Sequence, residues 1–457
     1  MLLETFHSLL KQSWTPVFAQ QRTAERAVEH GLSWPLLLGR RTVARTVCAL
    51  GRAEQDWSAD YKLFSRSDWE VARLFDPVLD QYLSSQTKGL IPVGLDDSGY
   101  AKTGKQIAGA HWQRDPLSPP FQVNLRWGLR FLEASLLFPR HREEGRARAV
   151  PVRFEQAPVI KKPGPRATPE KKQQYRTLKK QFNLSTQAWV QLRGLREWLD
   201  HKQAVHRLLL AVLDGSFCNR RLFRADGERV VLIARCRKDA RLCRPALEPG
   251  PRRYDPHLFT PQEIRQNARI LYRRLRVYYG GRRRWIRIKV VPSVLWRRGA
   301  GTRRLRLLVI APQPYRRDRQ GRLCYRDPAY LLTTDLRSSL KHLVQSYLDR
   351  WQIEVNHRDQ KTLLGVGQAQ LRSPRAVPRH PALAVASYAL LQLAALRCLG
   401  PGRSAAFVPL PKWRKKASRY SLLDLLTLLR QEITSETRVS TWMKPQFAKN
   451  LLLYADT

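Results

Sequence analysis

The chain has 457 residues, enough to bury a substantial core and to divide into about two to four units on a soft allowance of about 150 residues each. Hydrophobic residues make up an ordinary 43%, but 83 Lys and Arg against 37 Asp and Glu leave a formal charge of +46. Such a field attracts a polyanion and holds it by counterion release, so nucleic acid is the expected partner and no membrane is expected.

The longest uncharged run, Pro381 to Leu396, would rise only about 24 Å as a helix and contains Ser387, Tyr388 and Gln392. It is expected to be a core helix rather than a span. Met1-Leu-Leu-Glu-Thr-Phe-His lacks a basic segment followed by an apolar run, which points to a cytoplasmic, nucleoid-associated protein. The six cysteines (48, 218, 236, 243, 324 and 398) are scattered without a CxxC pair or a histidine at zinc-finger spacing. Reduced thiols without structural zinc are expected.

Residues 1–85 read as short helices. Thr42 is placed to start one and Gly51 to end it, Ser67-Asp-Trp-Glu70 has capping-box spacing for another, and Arg40 and Arg41 are candidate DNA contacts. Ile91 to Leu95 then reads as a buried strand ending on Asp96, Asp97 and Ser98. Segments at Gly109–Trp112 and within Phe121–Phe138 complete an expected three-stranded meander. A Pro- and Lys-rich connection (158–169) leads to an amphipathic helix through Trp189, Leu192, Leu195 and Leu199. His206 to Leu213 is an apolar strand that stops at Asp214, and Arg229 to Ala234 is another. Strands and helices in this order, with acids on the first and fourth strands, form the pattern of a ribonuclease-H-like core.

From Tyr272 the character changes. Between Arg273 and Arg322 there are 17 Lys and Arg against one acid, a balance of +16 in 50 residues, interleaved with Trp285, Trp296 and Tyr315 on strand-like segments. Nucleic-acid contact through a basic β insertion is expected, with Trp285 and Trp296 available to stack on bases.

The expected fold class is mixed α/β (α+β): a ribonuclease-H-like core interrupted by a β-rich insertion, with helical N- and C-terminal regions. The boundaries are 1–85 for the helical N-terminal region, 86–254 for the first part of the core, 255–335 for the insertion, 336–400 for the second part of the core, and 401–457 for the helical C-terminal region.

A further stretch, Tyr347-Leu-Asp-Arg350-Trp351-Gln-Ile-Glu354-Val-Asn-His-Arg-Asp-Gln-Lys361, has no Pro or Gly. As one helix it would gather Tyr347, Arg350, Glu354 and Lys361 within roughly 60° of its surface. A carboxylate among cations suits metal and phosphate together. With Asp97 and Asp214 on strand ends, Glu354 completes the three carboxylates that a pair of Mg2+ ions requires for phosphodiester chemistry. Asp96 and Asp97 both remain open as the first acid, with Asp97 preferred because a hydroxyl residue, Ser98, follows it.

In these residues the chain resembles the bacterial insertion-sequence transposases of the DDE superfamily that carry the Y-(2)-R-(3)-E-(6)-K signature. Tyr347, Arg350, Glu354 and Lys361 match that spacing without a gap, and Trp351 stands after the arginine as it does in hairpin-forming members. The 140 residues from Asp214 to Glu354 are similar to members with a β insertion. The likeness covers roughly residues 90 to 400. It implies Asp97, Asp214 and Glu354 as catalytic metal ligands, two Mg2+ ions that Mn2+ can replace, and DNA contact by the signature residues. It further implies nicking at the terminal inverted repeats of an element, strand transfer to target DNA, a hairpin intermediate as one route, and a homodimer on paired ends. The rival readings are a ribonuclease-H-like nuclease without strand transfer and a noncatalytic DNA-binding descendant.

Overall fold

The structure, a computed structural model of the whole chain, describes residues 1–115, 118, 119, 121–138, 147–246, 253–317, 320–413, 417, 419–434 and 450. The fold is mixed α+β. Its N-terminal elements are α1 (Leu2–Trp14), α2 (Gln21–Leu36), α3 (Val43–Ala49), α4 (Ser58–Ser65) and α5 (Asp76–Ser85). Four strands follow, β1 (Ile91–Ala101), β2 (His111–Arg114), β3 (Leu125–Phe138) and β4 (Arg148–Gln156), then α6 (Pro169–Gln181) and α7 (Leu184–His201). Next come β5 (Leu209–Leu213), α8 (Arg220–Phe223), β6 (Val230–Arg235), β7 (Leu242–Pro245), β8 (Tyr254–Phe259) and α9 (Pro261–Gln266). The basic stretch contains β9 (Arg273–Tyr279), β10 (Arg282–Leu295), α10 (Arg297–Ala300), β11 (Arg304–Ile310), β12 (Gln313–Tyr315), β13 (Cys324–Arg326) and β14 (Ala329–Thr333). The chain closes with α11 (Leu340–Asp349), α12 (Trp351–Thr362), α13 (Ala376–Leu399) and α14 (Leu422–Thr434).

Two compact units share the chain. The first takes residues 1–87, 97–182 and 353–457, the second 88–96 and 183–352.

In the first unit α13 is the hub against which α1, α2 and β4 pack. By length and composition α13 could cross a membrane, yet 78% of its most apolar window is buried inside the protein, which makes it the core helix its polar residues suggest. Ser387 Oγ on α13 donates to the Gly31 carbonyl of α2 at 2.6 Å. Gly31 itself has no room for a side chain, since a Cβ there would lie 2.4 Å from the Trp14 ring. β3 is the long strand of this unit. It pairs antiparallel with β2 through residues 125–128 and with β4 through residues 131–138. The expected meander is therefore replaced by a fork, because 14 residues of β3 give space for both shorter strands.

Local signals meet different fates. Thr42 caps α3, its hydroxyl accepting from Arg45 N at 3.1 Å, and Gly51 beyond the helix takes φ of +68°. Ser67–Glu70 opens no α-helix, and a short 3-10 helix, Val71–Phe75, follows it instead. Trp69 is buried there with its indole donating to Leu63 O, and the next α-helix starts only at Asp76-Pro77, where proline suits the first turn. The segment expected only as a connection ends in α6, capped by Thr168. In the C-terminal region α14 is present, and residues 435–449 and 451–457 lie outside the described residues.

In the second unit the first half of β1 runs parallel to β5, from Ile91 opposite Leu209 to Gly94 opposite Val212. β5 runs parallel to β6, and β6 antiparallel to β14. From there the order continues through β11, β10, β7 and β8, with β9 on the other end of β10. The basic stretch thus adds its strands to the sheet edge offered by β6. All five residues of β5 are buried, as a strand covered on both faces requires.

Candidate active site

In the second unit Asp214 stands where β5 ends. Its Oδ1 accepts from Ser216 N at 2.9 Å and from Ser216 Oγ at 2.7 Å, a local turn that fixes the carboxylate at the strand tip. Oδ2 makes no hydrogen bond among the described residues. Beside it opens a cavity of about 740 Å3 into which Arg235, Arg237, Lys238, Arg265 and Arg350 bring positive charge, with Tyr347 at its wall. Burial pushes the Tyr347 phenol above its ordinary value, while Arg235 and Arg350 pull the other way. The hydroxyl therefore stays protonated at neutral pH and can donate.

Arg350 does not hang free in this cavity. Its Nη1 donates to Asp96 Oδ2 at 3.2 Å, and both side chains are largely shielded. Asp97, the next residue on β1, belongs to the first unit and accepts from Arg130 Nε of β3 at 2.6 Å. Successive strand residues face opposite ways, so the two acids that stand as alternatives in the sequence have separate arginine partners.

The single helix expected through Tyr347–Lys361 is interrupted. α11 ends at Asp349 and α12 starts at Trp351, leaving Arg350 between them. Tyr347 and Arg350 belong to the second unit, Glu354 and Lys361 to the first. Glu354 occupies the first turn of α12 and is half-buried, and Lys361 near its end is exposed with its ammonium 5.3 Å from the Tyr100 ring centre. Among the described residues no three His, Cys, Asp or Glu side chains form a cluster able to hold a metal ion.

Of the aromatic candidates, Trp351 is 61% exposed and Trp285 is 64% exposed, each presenting a ring to solvent. Trp296 is half-buried, edge-on to Phe223 at 5.6 Å. Arg40 is exposed, but the expectation for Arg41 needs correcting. Its side chain is buried, Nε donates to Trp34 O at 3.1 Å, and burial brings its pKa down to about 10. Of this pair only Arg40 is presented to solvent.

Four of the cavity's cations are not among the residues expected from sequence. Arg235-Cys236-Arg237-Lys238 directly follows the apolar residues of β6, a strand-end polar cluster like the one that marks Asp214 but of opposite sign, whereas β1 does not end on Asp97 as expected and continues to Ala101. Arg265 has no such signal; α9 carries it behind a Thr260–Glu263 capping box. No protein-family model and no curated protein matches the chain.

Proposed function

We propose that this chain is a Mg2+-dependent DDE transposase with a ribonuclease-H-like core, which nicks DNA at the ends of an element and joins them to target DNA. The observation that carries the reading is the cavity of about 740 Å3 in which a strand-end aspartate, Asp214, stands among five cations that include the signature arginine. Two carboxylates, Asp214 at the strand tip and Asp327 in the lining, set among guanidinium and ammonium groups are the local chemistry of a phosphodiester bound beside a metal ligand. The order β4-β3-β1 in the first unit and β1-β5-β6 in the second, with acids on β1 and at the end of β5, supports the core assignment.

The metal ligands in this reading are Asp97, Asp214 and Glu354, three carboxylates that supply the hard oxygen donors Mg2+ or Mn2+ prefers, although the described residues bring no three such side chains into one cluster. Asp214 fits best, having one carboxylate oxygen outside its own turn. When bound, the ions supply an activated oxygen nucleophile and charge stabilisation for the leaving oxygen.

The chain's own groups do the rest. Arg350, aimed by Asp96, and the Tyr347 hydroxyl grip phosphate oxygens in the cavity. Arg235, Arg237 and Lys238 neutralise the neighbouring phosphates. The exposed Trp351 and Trp285 rings offer stacking surfaces for a base lifted from the duplex, as a hairpin route demands. The partners in this reading are terminal inverted repeats and target DNA, bound by a homodimer in the nucleoid.

The test uses duplexes carrying the DNA that flanks the coding sequence. In Mg2+ the wild type should nick them and join pre-cleaved 3′ ends to a plasmid. Asp214→Asn and Glu354→Gln should abolish both steps while retaining DNA binding. Cleavage at the wild-type rate by either variant removes that residue from the site. Cleavage without joined product leaves a nuclease, and binding without cleavage leaves a noncatalytic DNA-binding protein.

A further inference from the structure

α12 is anchored on its buried side by amides more than by apolar groups. Gln352, Asn356, His357, Asp359 and Gln360 are all buried, with Ile353 as an apolar companion. Facing this side is Glu133, a carboxylate in the middle of β3 with no solvent exposure at all. Asn356 Nδ2 donates to Glu133 Oε1 at 3.0 Å and Gln360 Nε2 donates to Glu133 Oε2 at 2.6 Å, while Ser135 Oγ donates to Oε1 at 2.7 Å. The two amides are four residues apart, so one carboxylate binds one face of one helical turn with both of its oxygens.

Each amide is also held from a second direction. Asn356 donates to Ala149 O of β4 at 3.0 Å and accepts from the Tyr388 hydroxyl of α13 at 3.0 Å. Gln360 accepts from the Tyr100 hydroxyl of β1 at 2.6 Å. Glu133, Asn356 and Gln360 and the groups bonded to them lie in the first unit, whereas Gln352 is the last residue of the second. Apolar packing tolerates rotation of a helix about its axis, whereas directional hydrogen bonds at both ends of a turn do not. A slip by one residue turns the helix by about 100° and breaks both bonds.

We propose that Glu133 is a positioning residue that sets the rotation and register of α12 and so aims Glu354 and Lys361. Glu354 lies two residues before Asn356 and Lys361 one residue after Gln360, which leaves neither free to turn while the amides are bound. The inference rests on the transposase reading for what Glu354 and Lys361 do. The Glu133 lock itself is independent of that reading.

The test is a donor–acceptor exchange. Glu133→Gln sets an amide donor against the Gln360 amide, and Gln360→Glu sets carboxylate against carboxylate. The double variant Glu133→Gln with Gln360→Glu restores donor to acceptor, and residue 360 still accepts from Tyr100. Mn2+ binding to the DNA-free protein, read by electron paramagnetic resonance, is measured beside the rate of DNA cleavage and the dissociation constant for duplex DNA. Each single variant should lose on the order of tenfold or more in both Mn2+ affinity and cleavage rate, as loss of an outer support for a metal ligand does, with DNA affinity changed about twofold or less. The double variant should recover most of both losses. An active wild type whose double variant is no better than the singles overturns the positioning role, as do single variants with unchanged Mn2+ affinity. A wild type that neither binds Mn2+ nor cleaves DNA overturns the transposase reading, and with it the role of Glu133 in aiming Glu354 and Lys361 at a metal site.

Discussion

At the residue scale the first unit buries a histidine that titrates far from its usual range. His380 on α13 is edge-on to Trp34 at 4.7 Å and to Phe64 at 5.0 Å, and its Nδ1 has no hydrogen-bond partner among the described residues. Burial, with help from His30 and Lys102, lowers its pKa to about 3. The folded state therefore keeps the ring neutral while the unfolded chain takes up a proton below about 6.5. Since the unfolded state then binds more protons, stability must fall as pH drops from 6.5 toward 3. His380→Phe keeps an aromatic ring and removes the titration. Going from pH 7 to pH 4, the wild type should lose about 3 kcal/mol more than this variant, measured by urea unfolding at each pH. Parallel pH curves for the two proteins would refute the assignment.

Among the elements, those with dense local signals are legible in the sequence. The apolar run of β5 ending on Asp214, the heptad-like spacing of α7 and the Thr42 cap of α3 each express a rule that acts over a few residues. What stays hidden is nonlocal. Glu133 looks like a polar position in an alternating strand, and its buried role depends on amides more than 220 residues away. Likewise the partner of Arg350 is Asp96, 254 residues earlier. β4 does not show because Arg148 and Arg153 break its apolar pattern, although Arg153 is buried and donates to Val152 O and Ala72 O. α6 does not show because none of its 13 residues is buried, and apolar periodicity is the main sign of a helix in a sequence. A helix polar on every side gains little from packing, and Lys171, Lys172, Arg176 and Lys179 give it a surface suited to phosphates. Replacing these four with Gln should make the slope of log affinity for duplex DNA against log salt shallower by about 0.9 for each phosphate that they neutralise. The unfolding temperature should stay almost unchanged. An unaltered slope would take α6 out of the DNA-binding surface.

For the whole molecule the charge dictates two salt responses of opposite sign. With 83 basic residues and 37 acidic ones, at most 37 cations can find an acid of their own, and several acids are already shared or committed. Asp60 alone is within ion-pair distance of Arg26, Arg52 and His30. The remaining positive charge repels itself across the folded state and is relieved as the chain expands on unfolding. Salt screens that repulsion, with a Debye length that shrinks from about 30 Å at 0.01 M to about 10 Å at 0.1 M. The unfolding temperature of the protein alone should therefore rise between those concentrations. DNA binding draws on the same charge in the reverse direction, because dissolved salt opposes counterion release. Neutralising about six to ten phosphates would make affinity fall by about 10³ to 10⁵ between 50 and 200 mM salt. Bound duplex stabilises the folded state by mass action, so the increase in unfolding temperature that DNA confers should be greatest at low salt and fade as salt is added. Scanning unfolding with and without duplex across one salt series separates the two effects. An unfolding temperature that falls with salt in the absence of DNA would show that the excess charge is not unscreened in the folded state, and a stabilisation by DNA that is the same at every salt concentration would show that this charge is not directed at a polyanion.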